Sequence, residues 1–589
     1  MVIPKETLTD LKEQYEKAYK LVDEESENDP PTDPYKSHYA AKEILKEMMN
    51  NLKNFMHSDG DESEQFIFKA ILAFIYRDIG RICVFCEEVP AGENYLQQSL
   101  ELIGENYLKN EMIISYIGAS NELGIVWANR NETQRSEQFF TQSENAYNDF
   151  KKLDIPPMAI SDIFGTVDEI ETGKGIKELE KLFTLTTFYK AQMLGKLGNL
   201  ELSAKYCNLT LRRQIMNKEG LDYIDWALNS ATLSQYYIGV NKFTEARHHL
   251  AAASFILSEY EEKMISPGMS EDAISSVKEN FNHRYADVAR CWSKYGLTLL
   301  NASKDRLMAD TEDKLNKDLE NLMNCGDYKF ENLNLWSIEN GITDKYCLTF
   351  DDAKVVFHFV TLWLDRSKEY YKSDTEASEY ARIIIDFSEL YKVMAFFDDI
   401  PSNQSKMHKK RADYLEDLLK ILNPKYYLVL CRECWYNAGL AYCAMLDVKL
   451  DAISNLKYDE KPTPHALHKI NMLCDKAINH FKQFIDSYID KDTETLKDGI
   501  LSSEKELYLF AHFHLGRLFY KIITPNKENQ LNNLSNSLKF YKLFVEGCEA
   551  DKEASKALQA EIGVCKEMVI LLPHKISKTI DEMKQISEL

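Results

Sequence analysis

The chain has 589 residues and a formal net charge of −23, so it lacks the basic footprint that displaces counterions from nucleic acid and instead favours basic partners. Glycine, at 22, and proline, at 14, are scarce for this length, which favours helix. The first 22 residues carry charges throughout and lack an apolar signal core, and the apolar run from Ala70 to Tyr76 is far short of the roughly 20 residues that span a bilayer. These features lead us to expect a cytoplasmic protein with no membrane span, whose twelve cysteines are reduced thiols.

In chain order, Leu8 to Val22 and Tyr39 to Phe55 have helical spacing on either side of a turn holding Pro30, Pro31 and Pro34. They predict an opening helix hairpin, followed by a polar, acidic loop from His57 to Glu64. Between Gln65 and Tyr107, Gly80 pairs with Ala91, and Tyr95 follows, but this small-and-aromatic spacing is one residue off that of the later pairs. From Asn121 to Phe150 the pattern sharpens: Leu123, Gly124 and Trp127 fit L-G-x2-Y, and Ser136 with Phe140 fits A-x3-F. The stretch from Asp154 to Glu180, with Pro156, Pro157, Gly165, Gly173 and Gly175, reads as an insertion. The pattern resumes with Ala191, Leu194, Ser203, Cys207 and Thr210. Its clearest copy runs from Trp226 to Leu257, where Leu233, Ser234 and Tyr237 precede Ala246, Leu250 and Ala253.

This is the signature of the tetratricopeptide unit, about 34 residues of helix, turn and helix. Such a unit cannot bury its apolar face alone, so several must stack. Val277 to roughly Asn324 reads as one long helix joining two arrays, and Phe350 to Tyr371 with Ala377 to Phe397 restarts the pairing. A helix from Lys406 to Leu422, preceded by Pro401, carries the basic run KMHKKR. Trp435, Ala438, Gly439 and Tyr442 then fill the first-helix slots, with Ala477 and Phe481 recovering the second helix after a loop from Lys457 to His465. Leu515, Gly516 and Phe519 with Ser537 and Tyr541 form a last unit, and Glu553 to Leu572 is the expected cap. The expected organisation is an N-terminal array, 1–265, a long helix, 277–325, and a C-terminal array, 346–589, in an all-α, tetratricopeptide-like solenoid of antiparallel helix pairs.

No motif argues for catalysis. Cys83-x2-Cys86 and Cys431-x2-Cys434 would make four zinc ligands only if brought together, and both lie in helical patterns without the turn of a structural zinc site. The histidines give no H-E-x-x-H, Gly173-Lys174-Gly175 lacks the spacing of a phosphate loop, and no G-x-S-x-G occurs. The positive signal is the groove that first helices line in a stacked array. Thr232 and Gln235 in one unit, Tyr189 and Gln192 in the preceding one, and Gln214 after Arg212-Arg213 place uncharged hydrogen-bonding groups there. The competing reading is ordinary polar helix surface. Lys406, His408 and Lys409 offer a basic contact within an acidic protein.

Several longer strings resemble the KIF-binding protein family: YKSHYAAKEIL from Tyr35, LRRQ from Leu211, DWALNSATLSQYYI from Asp225, FTEARHHLAAASFIL from Phe243, NHRYADVARCWSKYGLTL from Asn282, LYKVMAFF from Leu390, KMHKKR from Lys406 and LNPKYYL from Leu422. The resemblance runs from the first hairpin to the C-terminus and departs mainly in the loops 154–180 and 310–340. It implies a right-handed helical solenoid of two subdomains joined by a long helix. The activity it implies is non-enzymatic, without cofactor or metal: the protein binds kinesin motor domains on its concave face and blocks their attachment to microtubules. On this resemblance the motor contacts are Tyr189, Gln192, Gln214 and Thr232, with Gln235 added by position, in a cytoskeleton-associated monomer. The alternative is a peptide-clamp co-chaperone, which would place Lys, Arg and Asn in the groove to hold a carboxylate.

Overall fold

The computed structural model describes residues 5–56, 62–165, 172–216, 220–309, 328–455, 461–490, 496 and 501–587. Parts of the expected loops, at 57–61, 166–171, 310–327 and 456–460, lie outside the described residues, and with them the expected continuation of the long helix from 310 to 325. Among the described residues the chain is helical throughout, and the β-structure present is an isolated bridge between Ile489 and Leu496. No described helix is long and apolar enough to cross a membrane.

The described residues divide into two compact units, one up to Asp222 with 328–333, the other from Tyr223 to 309 and from Asn334 onward. The first holds α1 (Lys5–Lys20), α2 (Lys36–Met56), α3 (Glu62–Phe85), α4 (Val89–Ile103), α5 (Ile113–Asn129), α6 (Thr133–Lys151), the short α7 (Ile160–Phe164), α8 (Thr172–Lys196) and α9 (Leu200–Met216). The second holds α10 (Tyr223–Gly239), α11 (Phe243–Lys263), α12 (Glu271–Met308), α13 (Trp336–Glu339), α14 (Phe350–Tyr370), α15 (Ala377–Phe397), α16 (Pro401–Ile421), α17 (Leu428–Ser454), α18 (Pro464–Asp486), α19 (Ser502–Lys521), α20 (Lys527–Ala550), α21 (Lys552–Ala557) and α22 (Gln559–Ser587). Within each unit, consecutive helices pair as antiparallel hairpins and first helices also touch first helices, as α5 does α3 and α8, and α12 does α10 and α15. Both units are thus stacks of tetratricopeptide-like pairs.

What joins each pair is a small residue seated under a ring. A Cβ on Gly124 would stand 2.7 Å from the ring of Phe140, one on Gly439 2.8 Å from Phe481, and one on Gly516 2.8 Å from Tyr541. A serine of the second helix then donates to the carbonyl of the small residue: Ser136 to Gly124 at 2.7 Å, Ser203 to Ala191 at 2.8 Å and Ser537 to Gly516 at 2.8 Å. The slots read from the sequence are therefore real contacts. Between α3 and α4 the pairing is corrected by one residue: Gly80 faces Gly92, whose carbonyl would lie 3.1 Å from an added Cβ, and the bulky partner is Leu96 rather than Tyr95.

That correction restores a common rule. Gly80 and Gly92, Gly124 and Ser136, Ala191 and Ser203, and Ser234 and Ala246 are each twelve residues apart. Seven residues after each first member comes a left-handed residue, Glu87 (φ 65°), Asn131 (φ 61°), Gly198 (φ 81°) and Asn241 (φ 58°). The next amide reaches back five residues, from Glu88 to Cys83, Glu132 to Trp127, Asn199 to Leu194 and Lys242 to Tyr237, at 2.8 to 3.0 Å. This is the Schellman closure of a helix C-terminus. It ends the first helix and launches the second at a fixed phase.

The long helix starts six residues before Val277, because Ser270 caps it by accepting from the Ala273 amide at 3.2 Å and Glu271 and Asp272 supply negative charge to its first turn. It packs on α10 and α11 on one side and on α14 and α15 on the other. Gly296 lets α14 approach, since a Cβ there would stand 2.3 Å from Val360.

Glu87 is the one left-handed turn residue of the four that is neither Gly nor Asn, and an L side chain with a long stem is strained there. Glu87→Gly is expected to stabilise the protein by about 0.5–1 kcal/mol in urea denaturation, and Asn131→Ala to destabilise it by about 1 kcal/mol. In the core, Gly439→Val is expected to cost about 1–3 kcal/mol by driving a branched carbon into Phe481.

Candidate partner-binding site

The first unit carries Tyr189, Gln192 and Gln214. Tyr189 is half-buried on α8; its ring lies parallel to Phe140 with centroids 5.4 Å apart, and Phe188 meets it edge-on at 5.2 Å. Burial, with Glu122 as a second cause, pushes its phenol up and keeps it neutral. Gln192, one turn on, is exposed. Gln214 is half-buried at the end of α9, where its neighbour Arg213 is clamped: Nη2 donates to Glu180 at 2.5 Å, Nε to Thr184 at 3.1 Å, and the guanidinium lies 4.4 Å over the Phe183 ring. Burial alone would raise the Glu180 carboxyl, but hydrogen bonds from Arg213 and Lys151 outweigh it and hold the group below its usual range. The polar groups of this cluster therefore sit on a rigid base.

The second unit carries the rest. On α10, Thr232 is exposed, while Gln235 is half-buried with its amide donating to Ser234 Oγ at 3.2 Å. Lys406, His408 and Lys409 are on α16, the second helix of its pair, so they do not share the first-helix row with Thr232. Nor do they share one face of α16. Lys406 and Lys409 are exposed, Lys409 pairing with Asp413, whereas His408 turns inward beside Arg411.

Sequence reasoning missed a charged seam across α12, α15 and α17. Arg290 of α12 pairs with Glu379 of α15, and Arg382 of α15 with Glu433 of α17 at 3.5 Å. Half-buried Asp386 lies in the same seam, pushed up to about 6 by burial against the pull of Arg290. The ion pairs form between helices, and Glu379, Arg382 and Asp386 on α15 are spaced three and four residues apart as on any charged helix face, so no local motif announces the seam. The paired cysteines, by contrast, are buried in different units, Cys83 on α3 with Cys86 in the turn that follows it and Cys431 with Cys434 on α17, and burial raises the Cys83 thiol to about 11. No group of three potential metal ligands occurs among the described residues.

A family model described as "KIF-1 binding protein C terminal" matches residues 224–579. Over nearly its whole length the chain is 48% identical to the KIF-binding protein of Drosophila melanogaster, covering 98% of both chains. The chain belongs to the KIF-binding protein family. Identity is 32% with the KIF-binding protein of Gallus gallus, covering 96% of both chains, and 30% with that of Homo sapiens, covering 96% of this chain and 97% of the other. The KIF-binding protein family model begins at Ile224, one residue inside the second unit. The strings that carried the resemblance now have places, DWALNSATLSQYYI on α10, FTEARHHLAAASFIL forming most of α11 and NHRYADVARCWSKYGLTL within α12.

Acid should loosen the second unit. Burial pushes the imidazoles of His408 and His514 to about 4 and that of His249 to about 3, against 6.5 for an unfolded histidine. Between those values the unfolded chain binds more protons, so their contribution is complete above pH 6.5 and is lost as the pH falls toward 4. Glu416, held at about 2 chiefly by His480, adds a loss of the same sign below 4.5, while Asp386 at about 6 opposes it. The urea midpoint of the full chain is expected to fall steadily from pH 7 to pH 4.5, and a flat profile would mean that these rings are not buried.

Proposed function

We propose that this protein is a non-enzymatic binder of kinesin motor domains that receives the motor on its first-helix rows and covers the motor's microtubule-binding surface. Membership of the KIF-binding protein family is the observation that carries this reading. Charge supplies its physical logic: a motor surface that binds an acidic track must be basic, and a chain of net charge −23 complements it. Occupying that surface makes binding this protein and binding the microtubule mutually exclusive, which would regulate microtubule-based and axonal transport.

In this reading Tyr189, Gln192 and, from the end of the second helix α9, Gln214 contact the motor from the first unit, Thr232 and its α10 neighbour Gln235 contact it from the second, and Lys406 and Lys409 lie outside the first-helix row. The protein works as a cytoplasmic, cytoskeleton-associated monomer. A co-chaperone clamp is disfavoured, because the groups named on α8 and α10 are Tyr, Gln and Thr rather than the cations that hold a terminal carboxylate.

Co-sedimentation of a panel of kinesin motor domains with microtubules, with and without the protein at two salt concentrations, tests this directly. Some motors should move to the supernatant, less so at high salt; if all still pellet, the inhibitor reading fails. Gln192→Ala with Thr232→Ala is expected to weaken motor binding about tenfold, or about 1.4 kcal/mol, while leaving the urea midpoint unchanged, since both side chains are exposed.

A further inference from the structure

We propose that the seam between α15 and α17 contains a receptor for an acidic side chain of a partner protein, with Arg411 and His408 as its floor and Lys392 at its mouth. The site rests on the reading that partners approach the first-helix row, and it adds a second, oppositely charged contact to it. Both flanking helices are first helices, and α16 lies behind them, packed on each.

Arg411 rises from α16 and is only 3% exposed. Its Nη2 donates to Asn437 Oδ1 on α17 at 3.2 Å, and Asn437 is itself oriented by donating Nδ2 to the Glu433 carbonyl at 3.0 Å. The Arg411 Nε has no partner, and neither has Nδ1 of His408, one turn earlier. The carboxylate that acts on Arg411 is Glu389 of α15, yet its oxygens are held by Lys392 Nζ at 3.1 and 3.0 Å. A buried guanidinium with no carboxylate of its own is costly, and a planar fork of donors is the group best matched to one. The fold has thus buried the Arg411 guanidinium beside an unpartnered ring nitrogen of His408, with the nearest carboxylate, Glu389, committed to Lys392.

The seam also selects the kind of anion. Glu389 and Lys392 form the mouth, with side chains 33% and 40% exposed, and Asp386, on which Glu433 of α17 also acts, lies about one helical turn earlier on α15. These carboxylates repel a phosphate dianion about twice as strongly as a single carboxylate, so a carboxylate on a side chain is the better-matched anion for Arg411 and His408. The same seam presents acid at one end and base at the other, so it matches a partner segment carrying a basic residue followed about one turn later by an acidic one.

The test uses the full chain. Arg411→Met should fold, because replacing an unpaired buried charge by an apolar side chain is neutral or stabilising. With a motor domain that the wild type binds, Arg411→Met and His408→Gln should each weaken binding about tenfold, and Lys406→Gln with Lys409→Gln, on the outer face of the same helix, less than twofold. Equal binding by wild type, Arg411→Met and His408→Gln would overturn the proposal. Should the wild type bind no motor, the functional reading falls and a second measurement decides the receptor: the melting temperature in sodium acetate against sodium chloride and sodium phosphate at equal ionic strength. A rise specific to acetate that disappears in Arg411→Met supports the site; no acetate-specific rise overturns it.

Discussion

Each hairpin depends on an aromatic or bulky side chain resting on a residue that has almost no side chain. Phe140 on Gly124 is the plainest case, and it reaches the candidate site in one step, because the other face of the Phe140 ring carries Tyr189. A larger residue at position 124 would displace the ring and with it Tyr189, the proposed motor contact. Core packing and the proposed contact in the first unit therefore share one stack, and Tyr189 is held half-buried by a contact whose first requirement is structural.

Between helices the protein relies on carboxylates that serve as hubs. Glu180 accepts from Tyr147 at 2.9 Å, Lys151 at 3.1 Å and Arg213 at 2.5 Å, joining α6, α8 and α9. Glu416 accepts from Tyr442 at 2.7 Å and from Lys476 at 3.3 Å and contacts His480 at 3.2 Å, joining α16, α17 and α18. Asp78 with Tyr15 and Arg77, and Asp287 with Tyr371 and Arg284, repeat the scheme. Each pairs a tyrosine hydroxyl from outside its own helix with a cation, so the carboxylate charge is met by donors within the protein. Part of the negative charge that reads as a solvated face in the sequence is in fact internal mortar, and the carboxylates left for a partner are fewer than the composition suggests.

Helix pairing was legible because it is periodic: small and aromatic slots recur at fixed offsets, and their contacts follow at 124 and 140, 439 and 481, and 516 and 541. The pair at Gly80 was misread by one residue because its turn lacks the usual cue. Asn131, Gly198 and Asn241 advertise a left-handed position, whereas Glu87 adopts one without any residue preference to reveal it. The start of the long helix was placed late for a related reason, since the Ser270 cap lies within a stretch whose Pro267 and Gly268 read as loop. Locally encoded features were recoverable, and tertiary placement of a cap or turn was not.

The basic run on α16 shows the limit most clearly. As a string, KMHKKR is a single cationic patch, but one helical turn is 3.6 residues, so neighbours in sequence face different directions. Lys406 and Lys409 project to solvent, where Asp413 pairs with Lys409, while His408 and Arg411 turn inward, Arg411 donating to Asn437 of α17. The exposed lysines are the ones a charge count would nominate, yet water and a local carboxylate already satisfy them. The buried pair has more to gain from a partner, because a donor sealed away from water retains the full cost of being unmatched.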